Sequence, residues 1–502
     1  MTYASSLKAA LASERPVTEL SISHRRDALS EEIAKLQDLE QIEISRHTDL
    51  VIPPHIAQLE KLKELRINEC YLAEFPIAIT TLPNLQILSL RRNNLRALPA
   101  AIGALAHLQY LDVSDNSLRA LPPEISALVN LRHLDISRNS VKTLPPGIGA
   151  LTRLEELIWR YSWLETLPPE IALLVGLRKL SLENNRLLRL PPEIGAFVNL
   201  QKLALDKNQL RTLPPQIRAL VNLESLSLSR NKVQKLPPEI GALKSLRTLS
   251  ADRNLLRTLP PEIGHLPQLE ALDLEDNALT ELPPEMGQLS QITSLRLSRN
   301  RLATLPDEIG GLAQLRYLDL SKNHLRDVPA SMANLRALET LWLRDNYFRQ
   351  FPPVICELAG LTTLYASDNG WGDPPPEIGQ LRALASLSLS TTKLSQLPPE
   401  IGQLRALTSL ALTSNKVLTT LPPEIGQLKA LEELRLSYTG LTALPAEIAQ
   451  LAQLKHLDAV HCHLQWAPPG LEHVEELRLS DNVSLRGFEV LPGAESVDVQ
   501  AR

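Results

Sequence analysis

Four histidines crowd the C-terminal end of this 502-residue chain, His456, His461, His463 and His473, with Asp458 among them. Imidazole and carboxylate groups at close spacing are the raw material of a zinc site, which takes about four such ligands in a tetrahedron. Their spacing matches no standard ligand pattern, so they read as surface histidines and no metal is expected. A second chemical group recurs as Pro-Pro-Glu, in Glu124, Glu170, Glu193, Glu239, Glu262 and Glu285. Arg96, Arg119 and Arg257 lie near them in sequence, so solvated ion pairs are expected rather than a cation-binding spine. Catalytic signatures are missing: no Gly-x-x-x-x-Gly-Lys-Ser/Thr, no His-Glu-x-x-His, no Gly-x-Ser-x-Gly and no protein-kinase set. The reading is of a chain that binds rather than catalyses, with no catalytic residue and no cofactor.

Aromatic residues with charges beside them supply the candidate contacts. Trp342 and Tyr365 are 23 residues apart, with Tyr317 earlier and Arg344, Asp345 and Asp368 close by. Aromatic anchors next to an arginine have the commonest hot-spot composition of protein interfaces. Tyr347 and Trp371 are expected along the rim of this patch. A second group runs from Tyr110 through His133 to Ile158, Arg160 and Tyr161, beside Asp112, Asp135 and Arg138. Apolar residues mixed with both signs of charge suit a protein partner. Trp159 falls in an inward frame and reads as core.

Composition narrows the class of partner. Net charge is −5, which argues against nucleic acid or a membrane drawn by bulk charge. No run of about 18 apolar residues is present, and no transmembrane helix is expected. The start, Met1 to Lys8, lacks the basic and apolar regions of a secretory signal. Three scattered cysteines cannot clamp extracellular capping modules, so a reducing cytoplasm is expected, the producer's own or a host cell's. The chain is expected to be a monomer or a weak homo-oligomer.

The elements that position these residues follow from a 23-residue period. Leu85-x-x-Leu88-x-Leu90-x-x-Asn93 recurs with its asparagine at Asn116, Asn139, Asn185, Asn208, Asn231, Asn254, Asn277, Asn300, Asn323, Asn346 and Asn369. Leu-x-Leu is a short strand whose leucines turn inward and whose intervening residues turn out. Stacked strands make one parallel sheet, on the order of 100 Å along its arc at about 4.8 Å per strand. The asparagine turns inward after the strand, where its amide can satisfy backbone groups of the turn. Cys70 and Cys462 fall in that frame, as do Thr392 and Thr439, and Cys356 takes the small slot of Pro-Pro-Glu-Ile-Gly. Two prolines bar a regular helix before them, so an extended segment leading into a short 3-10 turn is expected on the return.

The unit Leu-x-x-Leu-Pro-Pro-Glu-Ile-Gly-x-Leu-x-x-Leu-x-x-Leu-x-Leu-x-x-Asn resembles the Ras-group subclass of intracellular leucine-rich repeat proteins. It is also similar to the leucine-rich repeat arrays of type III effectors from plant-pathogenic bacteria. The likeness spans about residues 17–490. It implies an α/β solenoid: a horseshoe of roughly twenty repeats, a concave parallel sheet and convex extended or 3-10 segments. Residues 1–16 are expected as a capping helix, 17–490 as the solenoid and 491–502 as an edge strand, around Val497 to Val499, with a tail. The function implied is a protein scaffold whose concave sheet docks a folded partner, a Ras-like small GTPase or a signalling enzyme. The alternative is a translocated effector that binds a host protein. Some effector relatives add a ubiquitin-ligase domain; the array here runs almost to Arg502, so that activity is not carried over, and an enzyme or ligase-recognition role is the third reading.

Overall fold

The computed structural model describes residues 3–23, 29–466 and 468–482, and the backbone of 496–498. It divides into two compact units, residues 1–249 and 250–502.

The first unit opens on the two-residue strand Tyr3–Ala4 and the helix Leu7–Leu11; the strand pairs in parallel with Glu19–Ile22. Ser6 caps the helix, its Oγ accepting the Ala9 amide at 3.1 Å. Within the residues 1–16 expected as a capping helix, the helix is thus a single turn, preceded by a short strand, and Met1 and Thr2 lie outside the described residues. Strands Gln41–Ser45 and Glu64–Asn68 follow, and from Ile87–Ser89 to Ser225–Ser227 each strand has three residues. They pair in parallel and in register, Leu88 beside Leu111, Leu134 and Leu157. Those leucines are fully buried, as the two-residue strand period requires.

Each return segment is a 3-10 turn, for example Pro123–Ala127 or Pro192–Ala196. Pro122 holds extended backbone at φ −69° and ψ 148°, and its carbonyl accepts the Ile125 amide at 3.0 Å. Pro123 lacks an N–H where the turn needs none. Ile125 then closes the core from behind.

The asparagines form a ladder. Asn139 Nδ2 donates to the carbonyls of Val113 at 2.9 Å and Ile136 at 3.1 Å, and its Oδ1 accepts the Leu118 amide at 2.9 Å. One side chain therefore satisfies its own turn and the turn of the preceding repeat. Asn185 does the same, accepting the amides of Ser162 and Leu164 at 3.0 Å each. Ser162, in the asparagine frame itself, is fully buried, and its hydroxyl donates to the Arg160 carbonyl at 3.1 Å. His47 also holds that frame; it is buried, and neither ring nitrogen has a hydrogen-bond partner. The residue before each frame position adopts left-handed backbone without being glycine, as Arg138 does at φ 52° and Lys207 at φ 53°. The amide of Arg138 donates to the Arg160 carbonyl at 2.8 Å, which fixes a conformation an isolated residue would avoid.

The second unit repeats the design from Ala271–Asp273 to Glu476–Arg478. Cys462 stands in for asparagine, its thiol facing the Leu436 carbonyl at 3.3 Å, and Thr392 reaches the Leu389 carbonyl at 3.1 Å. One extra residue after Asn415 is absorbed in the turn, so Leu410 still sits beside Leu434. Adjacent 3-10 turns touch backbone to backbone: a Cβ on Gly264 would lie 2.2 Å from the Glu285 carbonyl oxygen. The expected end strand appears as Ser496–Asp498, paired with Glu476–Arg478. Residues 483–495 and 499–502, where the expected solenoid and tail boundaries fall, lie outside the described residues. No helix among the described residues is long and apolar enough to cross a membrane. The architecture is the expected open parallel sheet with 3-10 returns, an α/β solenoid.

Candidate partner-binding faces

Outward strand positions stand in a grid, two residues apart along a strand and one strand apart across it. In the second unit one row reads Asp273, Arg296, Asp319, Trp342, Tyr365, Ser388, Ala411. Trp342 and Tyr365 are register partners, and their rings stack with centroids 4.1 Å apart and planes tilted by 34°. The Trp342 Nε1 is shielded from solvent and has no hydrogen-bond acceptor. Tyr317 stands diagonal to Trp342, beside Thr340, with the Arg296 guanidinium 5.5 Å from its ring centre. Arg344 binds Asp368 at 2.6 Å, and Asp345 occupies the left-handed turn position at φ 59°. Of the six residues expected in this patch, Tyr317, Trp342 and Tyr365 stand at outward strand positions, Arg344 and Asp368 pair just past the strand ends, and Asp345 lies in the turn.

Charge near this row is only partly balanced. Arg296 contacts Asp273 and Arg299 contacts Glu275, each at 3.5 Å. Burial, then the neighbouring Asp252, pushes the Asp273 carboxyl above its usual range. Burial also raises Glu275, with Asp273 and Asp319 adding to the effect.

Trp371 corrects the expected rim. It is 1% exposed and packs on Phe348 and Phe351 at 5.2 and 5.3 Å between centroids. Its position two residues past Asn369 is the leucine slot filled by Leu95 after Asn93, which explains its burial. Tyr347 is at the rim as expected, 58% exposed and stacked on His324 at 5.4 Å.

In the first unit Tyr110 stacks flat on His133, centroids 4.2 Å apart. His133 Nδ1 meets Glu156 Oε2 at 2.8 Å, and Lys179 closes on the other carboxylate oxygen. Burial works against the Glu156 charge, but the bonds from Lys179 and His133 outweigh it and hold that carboxyl below its usual range. Burial pushes the neighbouring Asp135 carboxyl up. Ile158 takes the outward register position between Asp135 and Ser181 yet is 7% exposed, so it is not the open apolar contact the sequence suggested. Arg160 approaches Glu183 at 3.8 Å. Tyr161 is 40% exposed at the left-handed turn position, and Trp159 is core, its Nε1 bonded to the Val141 carbonyl at 3.1 Å.

The C-terminal histidines go separate ways. His456 meets Glu476 and His461 meets Asp481, each at 3.2 Å, while His473 bonds the Leu451 carbonyl at 2.8 Å. No ion pair among the described residues joins the Pro-Pro-Glu glutamates to Arg96, Arg119 or Arg257. Ion pairs instead link residues at or beside the strands, as Arg132 and Glu155 do at 2.5 Å.

Two surface features escaped the sequence reading. Val129, Val175, Val198 and Val221 recur at one position of the repeat and are each 46–48% exposed, an apolar row on the loops before the strands. On the loops after the strands of the second unit, a groove of about 730 Å³ is lined by Arg326, Tyr347, Arg349, Gly370, Gly372 and Lys393. The signal for both was the 23-residue spacing, applied to loop positions as well as strands.

Comparison with known proteins gives the following. A family model described as a leucine-rich repeat region matches residues 76–167 and 304–372. Another, described as a leucine rich repeat, matches 175–233, 198–256, 221–279, 267–325 and 405–464. The chain is 36% identical to a solved leucine-rich repeat protein of Leptospira interrogans, covering 83% of this chain and 95% of that one, with a TM-score of 0.63. It is 27% identical to YopM from Yersinia enterocolitica, covering 88% and 87%, with a TM-score of 0.59. It is 26% identical to the Arabidopsis receptor kinase HAESA, solved with the peptide hormone IDA and a co-receptor, covering 93% and 86%, with a TM-score of 0.63. A search of curated proteins found no match.

Proposed function

The chain belongs to the leucine-rich repeat family, and from that premise we propose that it is a non-catalytic scaffold that holds a folded protein partner on the outward face of its strands. The observation that carries this reading is the Trp342–Tyr365 stack. Two large rings stand together at outward positions where most repeats carry small or charged residues. Interfaces concentrate their binding energy in such aromatic clusters with an arginine at the edge, here Arg344. The stacked pair presents apolar area at little entropic cost, because each ring already restricts the other. Binding of peptide and co-receptor by HAESA supports a ligand-binding use of the same architecture.

The Ras-group resemblance of the repeat unit makes a small GTPase or a signalling enzyme the favoured partner class, with the cytoplasm as the working compartment. A second reading, a translocated bacterial effector that masks a host protein, is supported by the similarity to YopM over most of both chains.

The test is an affinity capture from the producing cell's cytoplasm with wild type and a Trp342→Ala/Tyr365→Ala variant. A protein retained by wild type and lost from the variant supports the scaffold reading. Equal capture by both moves the working surface to the Tyr110–Tyr161 region. Capture only from a host-cell lysate favours the effector reading.

A further inference from the structure

The groove behind Tyr347 is shaped by two missing side chains. In the repeat around Asn369 the chain reads Asn-Gly370-Trp371-Gly372. Trp371 turns into the core against Phe348 and Phe351, so the surface there keeps only the two glycines. One repeat earlier the same two positions carry Tyr347 and Arg349, and one repeat later Lys393 and Ser395. The result is a gap one repeat wide, with Tyr347 and Arg349 on one wall and Lys393 on the other. Arg326 extends the first wall by a further repeat.

Electrostatics gives the groove a sign. Arg326, Arg349 and Lys393 line it, and no carboxylate does. None of the three cations makes an ion pair within 4.0 Å among the described residues, whereas Arg296, Arg299, Arg316 and Arg344 of the same unit each do. The nearby Asp373 is already committed to the amides of Ser395 and Gln396 and to the Ser395 hydroxyl, at 2.7 to 2.9 Å. The chain as a whole is acidic, at −5, so three cations without an ion-pair partner lining one concavity are a local reversal.

The shape is not forced by folding. Gly370 is held close, since a Cβ there would lie 3.0 Å from the Phe348 carbonyl oxygen. Gly372 is under no such constraint: a Cβ would meet only the Lys393 carbonyl oxygen, at an ordinary 3.9 Å. The backbone at Gly372 would accept a side chain, and its absence leaves the groove open.

We infer that this groove is a second contact surface, and that it takes an extended acidic segment of the protein partner. The inference rests on the scaffold reading and adds the chemistry of one of its contacts. Span selects the ligand. From Arg326 to Lys393 is three strand steps, about 14 Å at about 4.8 Å per step. One compact anion cannot reach across that distance, whereas carboxylates on successive residues of an extended chain can, at roughly 3.3 Å per residue. Arg349 can hold a carboxylate through two parallel N–H donors, Lys393 supplies a point charge, and the exposed Tyr347 ring covers aliphatic stems.

The experiment uses the full chain and a capped hexaglutamate peptide, with capped hexaglutamine as the neutral control, by titration calorimetry at low salt. The expected result is saturable hexaglutamate binding that weakens as salt rises, with no heat from hexaglutamine. Arg349→Gln/Lys393→Gln should weaken binding at least tenfold, and Gly372→Leu, which fills the groove without changing charge, should do the same. Arg382→Gln/Arg405→Gln, at exposed cations elsewhere on the unit, should leave it unchanged. Thermal melting checks that each variant is folded. Equal binding by all the variants, or equal loss in the Arg382/Arg405 control, overturns the site. Inorganic phosphate that binds as tightly as the peptide overturns the extended-segment assignment. Because peptide binding is read without the partner, it separates from the strand-face capture: a partner lost in Trp342→Ala/Tyr365→Ala but no peptide bound leaves the scaffold reading standing and removes this one.

Discussion

Arg138 holds its guanidinium 4.2 Å from the centre of the Tyr161 ring, one repeat away. Arg186 does the same over Trp163 at 3.8 Å. In the first unit, then, two exposed aromatics at the strand ends are each covered by a cation, an arrangement that contributes about 0.5–1 kcal/mol at exposed sites. A partner docking there must displace the arginine or accept it as part of the contact. Trp342 and Tyr365 pack on each other, and among the described residues no arginine lies over either ring.

That difference sets the first prediction. Trp342→Ala/Tyr365→Ala should weaken partner binding by about 2 kcal/mol or more, roughly 30-fold. The melting temperature should stay close to wild type, since both side chains stand on the outer side of the sheet. Surface plasmon resonance against the captured partner measures the first quantity and calorimetry the second. An Arg138→Ala variant gives the comparison for the first unit.

Asn139→Ala should behave in the opposite way. It removes the donors to Val113 and Ile136 and the acceptor for Leu118, all buried. Unmet groups of this kind cost about 1–3 kcal/mol each, so the loss of stability should be large while partner affinity at Trp342 is kept. Urea unfolding reports the loss, and hydrogen exchange should show it at the Leu118 amide first.

Gly264→Ala tests the close approach of neighbouring 3-10 turns. The new Cβ would meet a backbone carbonyl rather than a movable side chain. Overpacking of this sort costs about 1–3 kcal/mol. Gly372→Ala, where the space is open, serves as the control and should leave the unfolding midpoint near wild type.

Asp273 predicts a pH effect with a definite sign. Its folded pKa lies above the ordinary 3.8, chiefly through burial. The folded state therefore holds a proton that the unfolded chain has released in the window between the two values, and stability falls as pH rises through it. Asp273→Asn keeps an acceptor for the Glu275 amide and removes the buried charge. It should raise the melting temperature at neutral pH and make little difference well below 3.8. An unchanged or lower melting temperature at neutral pH would count against burial as the dominant cause.

The three cysteines should be silent in the native protein. All are free and buried, and burial pushes the Cys356 thiol up to about 12, with Glu377 and Glu357 adding to the effect. Thiolate is the reactive form, so a thiol reagent at pH 8 should modify none of them until denaturant is added. Rapid labelling of Cys356 in the folded state would contradict its packing.

The repeat was legible because its physics is periodic. A fixed spacing of leucines dictates which side chains turn inward, and Trp159 was assigned to the core on that frame alone. Trp371 obeys the same rule, but its slot lies after the asparagine, where the strand alternation no longer helps. Ile158 shows the reverse limit: its register position faces out, yet it is buried, which the spacing of the repeat does not describe. The Pro-Pro-Glu carboxylates were assigned partners by proximity in sequence, whereas ion pairs here run mostly between repeats. The basic groove was invisible for a related reason. It is made by what Gly370 and Gly372 lack, seen against the residues 23 positions before and after them.

The asparagine ladder gives the array a polarity. Amides such as those of Asn139, Asn185, Asn208, Asn231 and Asn300 each accept a backbone N–H from the turn one repeat earlier, so those turns are finished by the repeat that follows. Trimming from the front would leave an asparagine with a surplus donor that water can satisfy. Trimming from the back would strip the acceptor from an amide that the fold has already folded inward, as Leu118 would be without Asn139. Shortened versions of this protein should therefore be cut from the N-terminal side, where the seam opens cleanly.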